Sequence, residues 1–235
     1  MDKLDFDFEY LVEESDILSE VKADIKPPPA PRPRITSSWD KWEPSQYTPK
    51  PYASYKFESG YLQPNHMTRP ERFPKIFDSA QRLKPKAKRI LSFGCSYGDE
   101  VAAIAKRFPD AEIVGVDIDH SAVTTARRNV KLPNVSFHDE LEGTGKYDII
   151  LCLMVLFCME TPVPKDTWTN VLKKLDKHLN YNGLLMIYTS DYDPKEVLGN
   201  AYSDVNVWTH EHNKCKKQYF DGYYRKRRNI FSWLK

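Results

Sequence analysis

The segment Arg89-Ile-Leu-Ser-Phe-Gly-Cys-Ser-Tyr-Gly-Asp-Glu100 decides the fold that we expect of this 235-residue chain. Its first residues are a short apolar run that predicts a buried strand over 89–93, and the residues after it have the spacing of a helix with one apolar face. Between the two, Gly94 and Gly98 permit a tight turn and let a ligand approach the backbone closely. A strand, a glycine turn and a helix in this order indicate an α/β unit with a ligand site at the turn.

Strands and helices alternate on both sides of this segment. The apolar patterns predict strands over 89–93, 112–116, 135–137, 147–153 and 184–189, and helices over 70–83, 99–108, 121–130 and 165–179. Asp119 is the expected cap of the third helix. Residues 205–210 and 230–234 are predicted as two final antiparallel strands. Because strands that are apolar throughout imply burial on both faces, we expect an α/β fold: a Rossmann-like, seven-stranded, mostly parallel sheet with helices on both faces.

The composition divides the chain into two zones. Residues 1–65 are acidic and then proline-rich, with nine prolines between Pro27 and Pro64, so we expect an extension that is partly disordered or docked on the surface. Residues 66–235 are predicted to form the α/β domain. Residues 1–25 carry nine acids and residues 214–235 carry eight bases. This asymmetry is typical of interaction tails, and two solvated termini are the alternative.

Several classes of protein are disfavoured. The acidic N-terminus does not resemble a signal peptide, and the longest apolar run, 149–159, is too short to cross a bilayer. The four cysteines form no C-x-x-C pair, which argues against a zinc cluster or a redox dithiol. We expect a cytoplasmic protein that needs no metal and does not bind membranes.

Charge at the glycine turn indicates which cofactor fits there. Asp117 ends the second predicted strand nineteen residues after Gly98, where an acid can accept both hydroxyls of a ribose. The helix begins with Asp99 and Glu100, and two carboxylates at a positive helix end would repel a pyrophosphate. The glycine spacing is G-x-x-x-G, whereas dinucleotide sites use G-x-G-x-x-G. A nucleoside with a positive sulfonium and ammonium, S-adenosylmethionine, fits better.

These motifs resemble those of the class I S-adenosylmethionine-dependent methyltransferases. The stretch 93–100 resembles their first motif in the variant F-G-C-S-x-G-x-E, which is also similar to the S-x-G-E-E loop of CheR-type protein methyltransferases. Residues 114–119 resemble the second motif, and residues 147–156 resemble the fourth. The resemblance covers roughly residues 66–190.

The resemblance implies a role for several side chains. Asp117 would bind the ribose, Ile118 would pack on the adenine, and either Asp139 or Glu140 would contact the adenine amine unless both are surface acids. Many relatives hold the methionine ammonium with an acid where this chain has Ser92, and Glu100 is expected to replace it. The predicted cofactor site consists of Phe93, Gly94, Cys95, Ser96, Tyr97, Gly98, Glu100, Asp117, Ile118, Asp139, Glu140 and Leu153.

The predicted activity is methyl transfer to an unidentified acceptor, which the sequence leaves open as a small molecule, a protein or RNA. Because such transfer depends mainly on alignment, no catalytic base is predicted. Four residues follow strand ends near the expected methyl group and are candidates to line the methyl-transfer site: Leu153, Met154, Tyr188 and Asp191. The aromatic and basic segment 223–228 is a candidate RNA or protein contact, or else a solvated strand. The alternative function is a non-catalytic methyltransferase-like module whose charged termini recruit partners, and an oxidoreductase is disfavoured by the acidic helix start.

Overall fold

The computed structural model describes residues 62, 66, 68–158, 162–212 and 217–227. Helices and strands alternate through most of this range. In chain order they are α1 (Pro74–Leu83), β1 (Arg89–Phe93), α2 (Asp99–Arg107), β2 (Glu112–Val116), α3 (His120–Asn129), β3 (Val135–His138), β4 (Tyr147–Leu153), α4 (Lys165–His178), β5 (Leu179–Ser190), α5 (Lys195–Leu198), β6 (Tyr202–His212) and β7 (Lys217–Lys226).

The strands form one seven-stranded sheet in the order β3-β2-β1-β4-β5-β7-β6. All neighbours from β3 to β5 pair in parallel, while β7 is antiparallel to both β5 and β6. The chain order reverses between β1 and β4, and in sheets of this kind ligands bind in the crevice outside the carboxyl ends of the strands at such a point. The predicted mostly parallel α/β fold is confirmed.

The apolar strands are buried on both faces, which is why the sheet is central. Leu91, Ile150 and Leu185 lie in one buried cluster with the α4 residues Trp168 and Leu172. Alternate strand residues such as Ile90 and Ile149 are equally buried, and because successive side chains point to opposite faces, they pack on the other side. Within the described residues, every helix is too short or too polar to cross a lipid bilayer.

Two element starts differ from the sequence prediction for local reasons. Helix α1 begins at Pro74, not at residue 70, because the residue before a proline avoids helical geometry and Glu71 is left-handed (φ 53°). Strand β5 begins at Leu179, five residues early, since Asn182 and Gly183, a pair typical of turns, lie within the strand, with Asn182 left-handed (φ 60°).

The sheet contains a strand that was not predicted as part of it: β7 occupies Lys217–Lys226. Residues 230–234 lie outside the described part of the chain, so the strand predicted there stays a prediction. The basic residues of this strand interrupt its apolar pattern in the sequence. Its tyrosines nevertheless favour a β-strand, and Tyr219, Tyr223 and Tyr224 are all buried. The two final strands are antiparallel, as expected.

Most of the predicted N-terminal extension lies outside the described residues, so its boundary at residue 65 stays a prediction. Leu62 is the described residue of that extension. It is buried in the same apolar cluster as Val116 and Leu141.

Replacing Ile150 with alanine should test the central strand. The side chain is fully buried in β4, so the cavity and lost transfer energy should lower the free energy of unfolding by about 2–5 kcal/mol. Val207→Ala in β6 is the control, because Val207 is exposed and its loss should cost at most about 1 kcal/mol. Urea unfolding measures both, and equal losses would contradict the central position of β4.

Candidate functional site at the carboxyl edge of the sheet

The loop between β1 and α2 is held against the end of β2 by backbone hydrogen bonds. The N–H groups of Gly94 and Cys95 both donate to the Val116 carbonyl, at 2.8 and 3.0 Å. Three of five loop residues are left-handed: Gly94 (φ 78°), Ser96 (φ 49°) and Gly98 (φ 92°). Glycine adopts this geometry without strain and serine does not, so the loop conformation must be fixed by its surroundings.

Gly94 lies where no larger residue fits. A Cβ atom built there would be 2.3 Å from a methyl carbon of Val155, which follows β4. Gly94 therefore allows the ends of β1 and β4 to pack closely, and it also adopts the left-handed conformation that the turn needs.

Asp117 is buried and fastens the same loop. Its Oδ2 accepts the Ser96 N–H at 2.8 Å, and its Oδ1 accepts the Asp119 N–H at 3.0 Å. A carboxylate has about four acceptor positions, so two stay available for the hydroxyls of a ribose. Burial raises the pKa of this carboxyl above its usual value, against those two hydrogen bonds.

Asp119, two residues on, has a different role. It caps α3 by accepting the N–H groups of Ser121 and Ala122, as predicted, and its Oδ2 lies 2.9 Å from Nε2 of His66. Burial opposes ionisation here, but the hydrogen bonds from Ser121, Ala122 and His66 lower the pKa of Asp119 to about 2. The capping and ligand-facing functions are therefore divided between two neighbouring acids.

The two acids that begin α2 are less charged than the sequence suggests. Burial raises the pKa of Asp99 to about 6, with a contact to Thr68 opposing. Burial raises the pKa of Glu100 to about 7, opposed by the Ser92 hydroxyl, which donates to Glu100 at 2.8 Å, and by the charge of Arg72. Ser92 and Glu100 thus lie together. This proximity is what we expect if Glu100 replaces the acid that many relatives carry at the position of Ser92.

The predicted adenine side is more open. Ile118 is 49% exposed, an unusual position for an isoleucine and one that suits a covering ring. Asp139 forms an ion pair with Nδ1 of His120 at 2.7 Å, and Glu140 is exposed. The remaining predicted residues lie around the loop, with Tyr97 and Phe93 half-buried and Cys95 fully buried. Burial raises the pKa of the Cys95 thiol, which makes it a poor nucleophile.

The ends of β4 and β5 form the other half of the edge. Leu153 is buried at the end of β4, and the next residue, Met154, is left-handed (φ 60°). Thr189, opposite it on β5, is also left-handed (φ 64°), and the two side chains meet at 3.0 Å between Oγ1 and Sδ. Strained residues on adjacent strands are typical of functional sites. Asp191, another predicted candidate, accepts the N–H groups of Cys158 and Val163 and so holds the loop that follows β4.

Residues ahead of α1 also reach this edge, which the sequence analysis missed. We call His66 and residues 68–73 the strap. The ring of His66 lies 5.3 Å from that of Tyr97, and the Phe73 ring lies 5.4 Å from that of Tyr188. The signal in the sequence was the pair of prolines, Pro70 and Pro74, which marks a non-helical approach to the domain.

The described part of the basic C-terminal segment has structural contacts. Tyr223 and Tyr224 are buried in β7, and Nζ of Lys226 lies 2.8 Å from the Asp176 carboxylate and 2.6 Å from the Asp176 carbonyl oxygen. These contacts favour the structural interpretation of residues 223–226, while residue 228 lies outside the described range.

A glycine loop and a ribose-type acid at the switch point of a seven-stranded sheet with β7 reversed define the class I methyltransferase fold. The family comparison agrees: residues 91–185 match the model described as a methyltransferase domain. Residues 91–185 are thus similar to a methyltransferase domain, and the described sheet has the class I methyltransferase topology. A solved structure of similar fold is the N-methyltransferase NodS from Bradyrhizobium japonicum WM9 in complex with S-adenosyl-L-homocysteine, with a TM-score of 0.51, 14% identity, and coverage of 70% of this chain and 92% of NodS.

Curated relatives are similar over part of their length. A malonyl-[acyl-carrier protein] O-methyltransferase of Legionella pneumophila is 29% identical over 146 residues, covering 58% of this chain and 48% of the relative. A trans-aconitate 2-methyltransferase of Methylobacterium radiotolerans is 39% identical over 57 residues, covering 24% of this chain and 21% of the relative. The chain therefore spans less than half the length of each of these two relatives.

The packing of Gly94 gives a matched test. Gly94→Ala and Gly143→Ala place alanine at the same backbone angle (φ 78° and 79°), which costs about 1–2 kcal/mol in each. Only Gly94 has a neighbour within 4 Å of the new atom, so its variant should lose about 1–3 kcal/mol more in unfolding free energy. Adding Val155→Ala should recover most of that difference. Equal losses at Gly94 and Gly143 in denaturant unfolding would refute the close packing.

Proposed function

We propose that this chain is an S-adenosylmethionine-dependent methyltransferase. The observation that carries the proposal is the pair of acids on the two sides of the glycine loop, the buried Asp117 and the half-buried Glu100. Asp117 retains acceptor positions for ribose hydroxyls, and Glu100 is a carboxylate whose charge a cationic ligand would stabilise. A nucleoside that ends in an ammonium-bearing amino acid meets both requirements.

The individual roles follow from the positions of the side chains. Asp117 binds the ribose, the exposed Ile118 packs on the adenine, and Glu100 binds the methionine ammonium. Asp139 contacts His120 through Oδ2, while its Oδ1 is buried without a hydrogen-bond partner among the described residues and can accept from the adenine amine. The cofactor, when bound, supplies a methyl group activated by the adjacent sulfonium. The protein aligns this methyl with the acceptor and excludes water.

We further propose that the acceptor is already nucleophilic when it binds, and that it is a carboxylate. The described residues at the β4 and β5 ends provide no strong base: Asp191 is held by two backbone N–H groups, and burial raises the pKa of Tyr188. A carboxylate needs no proton removed at neutral pH. Malonyl-[acyl-carrier protein] and trans-aconitate, which the names of the two relatives mention, both carry carboxylates.

A panel of acceptors tests the activity. The purified chain is incubated with donor labelled in the methyl group and with trans-aconitate, malonyl-[acyl-carrier protein], total RNA or total protein. We expect label in a carboxylate acceptor, released as methanol by mild alkali because methyl esters hydrolyse there. Alkali-stable label in RNA or protein would refute the carboxylate proposal. Tight donor binding without transfer to any pool would instead support the non-catalytic module.

Asp117→Ala should abolish measurable binding of S-adenosylhomocysteine. The variant loses two hydrogen bonds that the ribose hydroxyls donate to a charged acceptor, which together correspond to at least about a 100-fold loss of affinity. Titration calorimetry gives the dissociation constant, and Asp110→Ala, an exposed acid in the turn after α2, is the control that should bind normally. NAD should bind neither protein. Normal binding by Asp117→Ala would overturn the site.

Affinity for S-adenosylhomocysteine should fall as the pH is lowered. The ligand ammonium pairs with the ionised form of Glu100, and protonation through its pKa of about 7 removes that partner. Below this pKa the limiting loss is about tenfold per pH unit. Calorimetry between about pH 5.5 and about pH 7.5 measures the slope, which Glu100→Gln should flatten. Asp99→Asn is the control, because burial raises the pKa of Asp99 to about 6, within the same pH range. If the slope persists in Glu100→Gln and is lost in Asp99→Asn, Asp99 and not Glu100 causes the pH dependence, and the proposed role of Glu100 is wrong.

A further inference from the structure

Strands β5 and β7 pair irregularly at the carboxyl end of β5. Tyr188 and Thr189 of β5 lie opposite one residue of β7, Asp221, so β5 carries one residue more than its partner there. Such a β-bulge interrupts the regular hydrogen bonds between the strands and turns side chains in new directions. Bulges are frequent beside active sites, and this bulge lies beside the end of β4, where Leu153 pairs with Tyr188.

The side chain of Asp221 supplies a hydrogen-bond partner at the bulge. Its carboxylate accepts the N–H of Thr189 at 2.6 Å, and both residues are buried, with 1% and 3% of their surface exposed. Thr189 is left-handed (φ 64°), a conformation that a β-branched residue keeps only where its surroundings fix it. The contact with Asp221 therefore helps to hold Thr189 in this conformation.

The bulge in turn fixes Met154, the residue that follows β4. The Thr189 hydroxyl donates to the Met154 sulfur at 3.0 Å, and the Met154 N–H donates to the Tyr188 carbonyl at 2.8 Å. Both the side chain and the backbone of Met154 are thus bound to the two bulge residues. Methionine is flexible and its thioether is a weak acceptor, so the position of its side chain depends on how firmly the bulge is held.

We propose that Asp221 is a positioning residue for methyl transfer: by holding the bulge, it sets the position of Met154 against the acceptor. This inference rests on the proposed function, in which the ends of β4 and β5 receive the acceptor. Met154 is half-buried, so part of its surface is open at this edge, whereas Asp221 is buried and acts through Thr189. A shift of about 1 Å in the site can slow a reaction by about 100-fold, because transfer requires donor and acceptor in line.

Kinetics and calorimetry together separate positioning from cofactor binding. Transfer of labelled methyl is measured with trans-aconitate or malonyl-[acyl-carrier protein] as acceptor. Asp221→Ala should lower kcat by about 10–100-fold, because the bulge loses its hydrogen-bond partner, while the dissociation constant of S-adenosylhomocysteine stays within about twofold of the parent value. Asp221→Asn should recover most of the lost kcat, since its amide oxygen still accepts the Thr189 N–H.

Tyr202→Phe is the matched control for general destabilisation. The Tyr202 hydroxyl donates to the Asp176 carboxylate at 2.8 Å, so this variant also loses a hydrogen bond to a carboxylate, at the start of β6 and away from the bulge. It should keep the parent kcat. An equal loss of kcat in Tyr202→Phe and Asp221→Ala would make the role of Asp221 purely structural and overturn the inference.

Methyl NMR follows Met154 directly and needs no acceptor. The chain is labelled with methionine carrying carbon-13 in its methyl group, and Met154→Leu identifies the Met154 signal among the five methionines. Asp221→Ala should move this signal, and so should Thr189→Val, which replaces the hydroxyl with a methyl group. Tyr202→Phe should leave it in place.

The remaining outcomes are distinguishable. If Asp221→Ala does not fold, Thr189→Val takes its place, with an expected loss of kcat of about 3–10-fold from one broken hydrogen bond. A Met154 signal or a kcat that stays at the parent value would overturn the inference alone. A parent chain that transfers methyl to no acceptor would overturn the proposed function, and the inference with it.

Discussion

The hydrogen bond from the Ser96 N–H to the Asp117 carboxylate is the contact on which the candidate site depends. It joins the glycine loop after β1 to the end of β2, and the remaining loop N–H groups of Gly94 and Cys95 complete the junction on Val116. Ser96 is left-handed without being glycine, and a strained residue persists only where its surroundings fix it. The carboxylate that we propose for the ribose is therefore also the one that fixes the loop, so a substitution of Asp117 changes both at once.

The inner part of the fold could be predicted because burial alone determines it. Strands β1, β2 and β4 begin and end at the predicted residues, since each is mainly apolar and most of its side chains are buried. The outer strands could not be predicted as well, because β7 combines buried tyrosines with basic residues and so lacks a recognisable apolar run. The strap was missed for a similar reason: the contacts of His66 and Phe73 join residues more than fifty positions apart, and no local pattern encodes them.

The two acids at the start of α2 carry less negative charge than their sequence suggests. Two full negative charges were expected there to repel phosphate, but burial raises the pKa of Asp99 to about 6 and of Glu100 to about 7. A cation beside either carboxyl favours its ionised form, whereas a phosphate does not. This preference supports the ammonium contact that we propose for Glu100, because an acid that is costly to ionise alone gains from a cationic partner.

The reversed strand β7 shapes the acceptor side of the edge. Asp221 is buried, and its carboxylate accepts the N–H of Thr189 at 2.6 Å, which helps to hold the left-handed turn at the end of β5. Tyr219 of the same strand packs edge-on against Phe157 in the loop after β4, the loop that Asp191 also fastens. The ends of β1 and β2 thus form the half of the edge that we propose for the cofactor, and the β5 end with β7 forms the half that we propose for the acceptor. Because the two halves are held by separate contacts, the contacts of β7 leave the glycine loop and Asp117 unaffected.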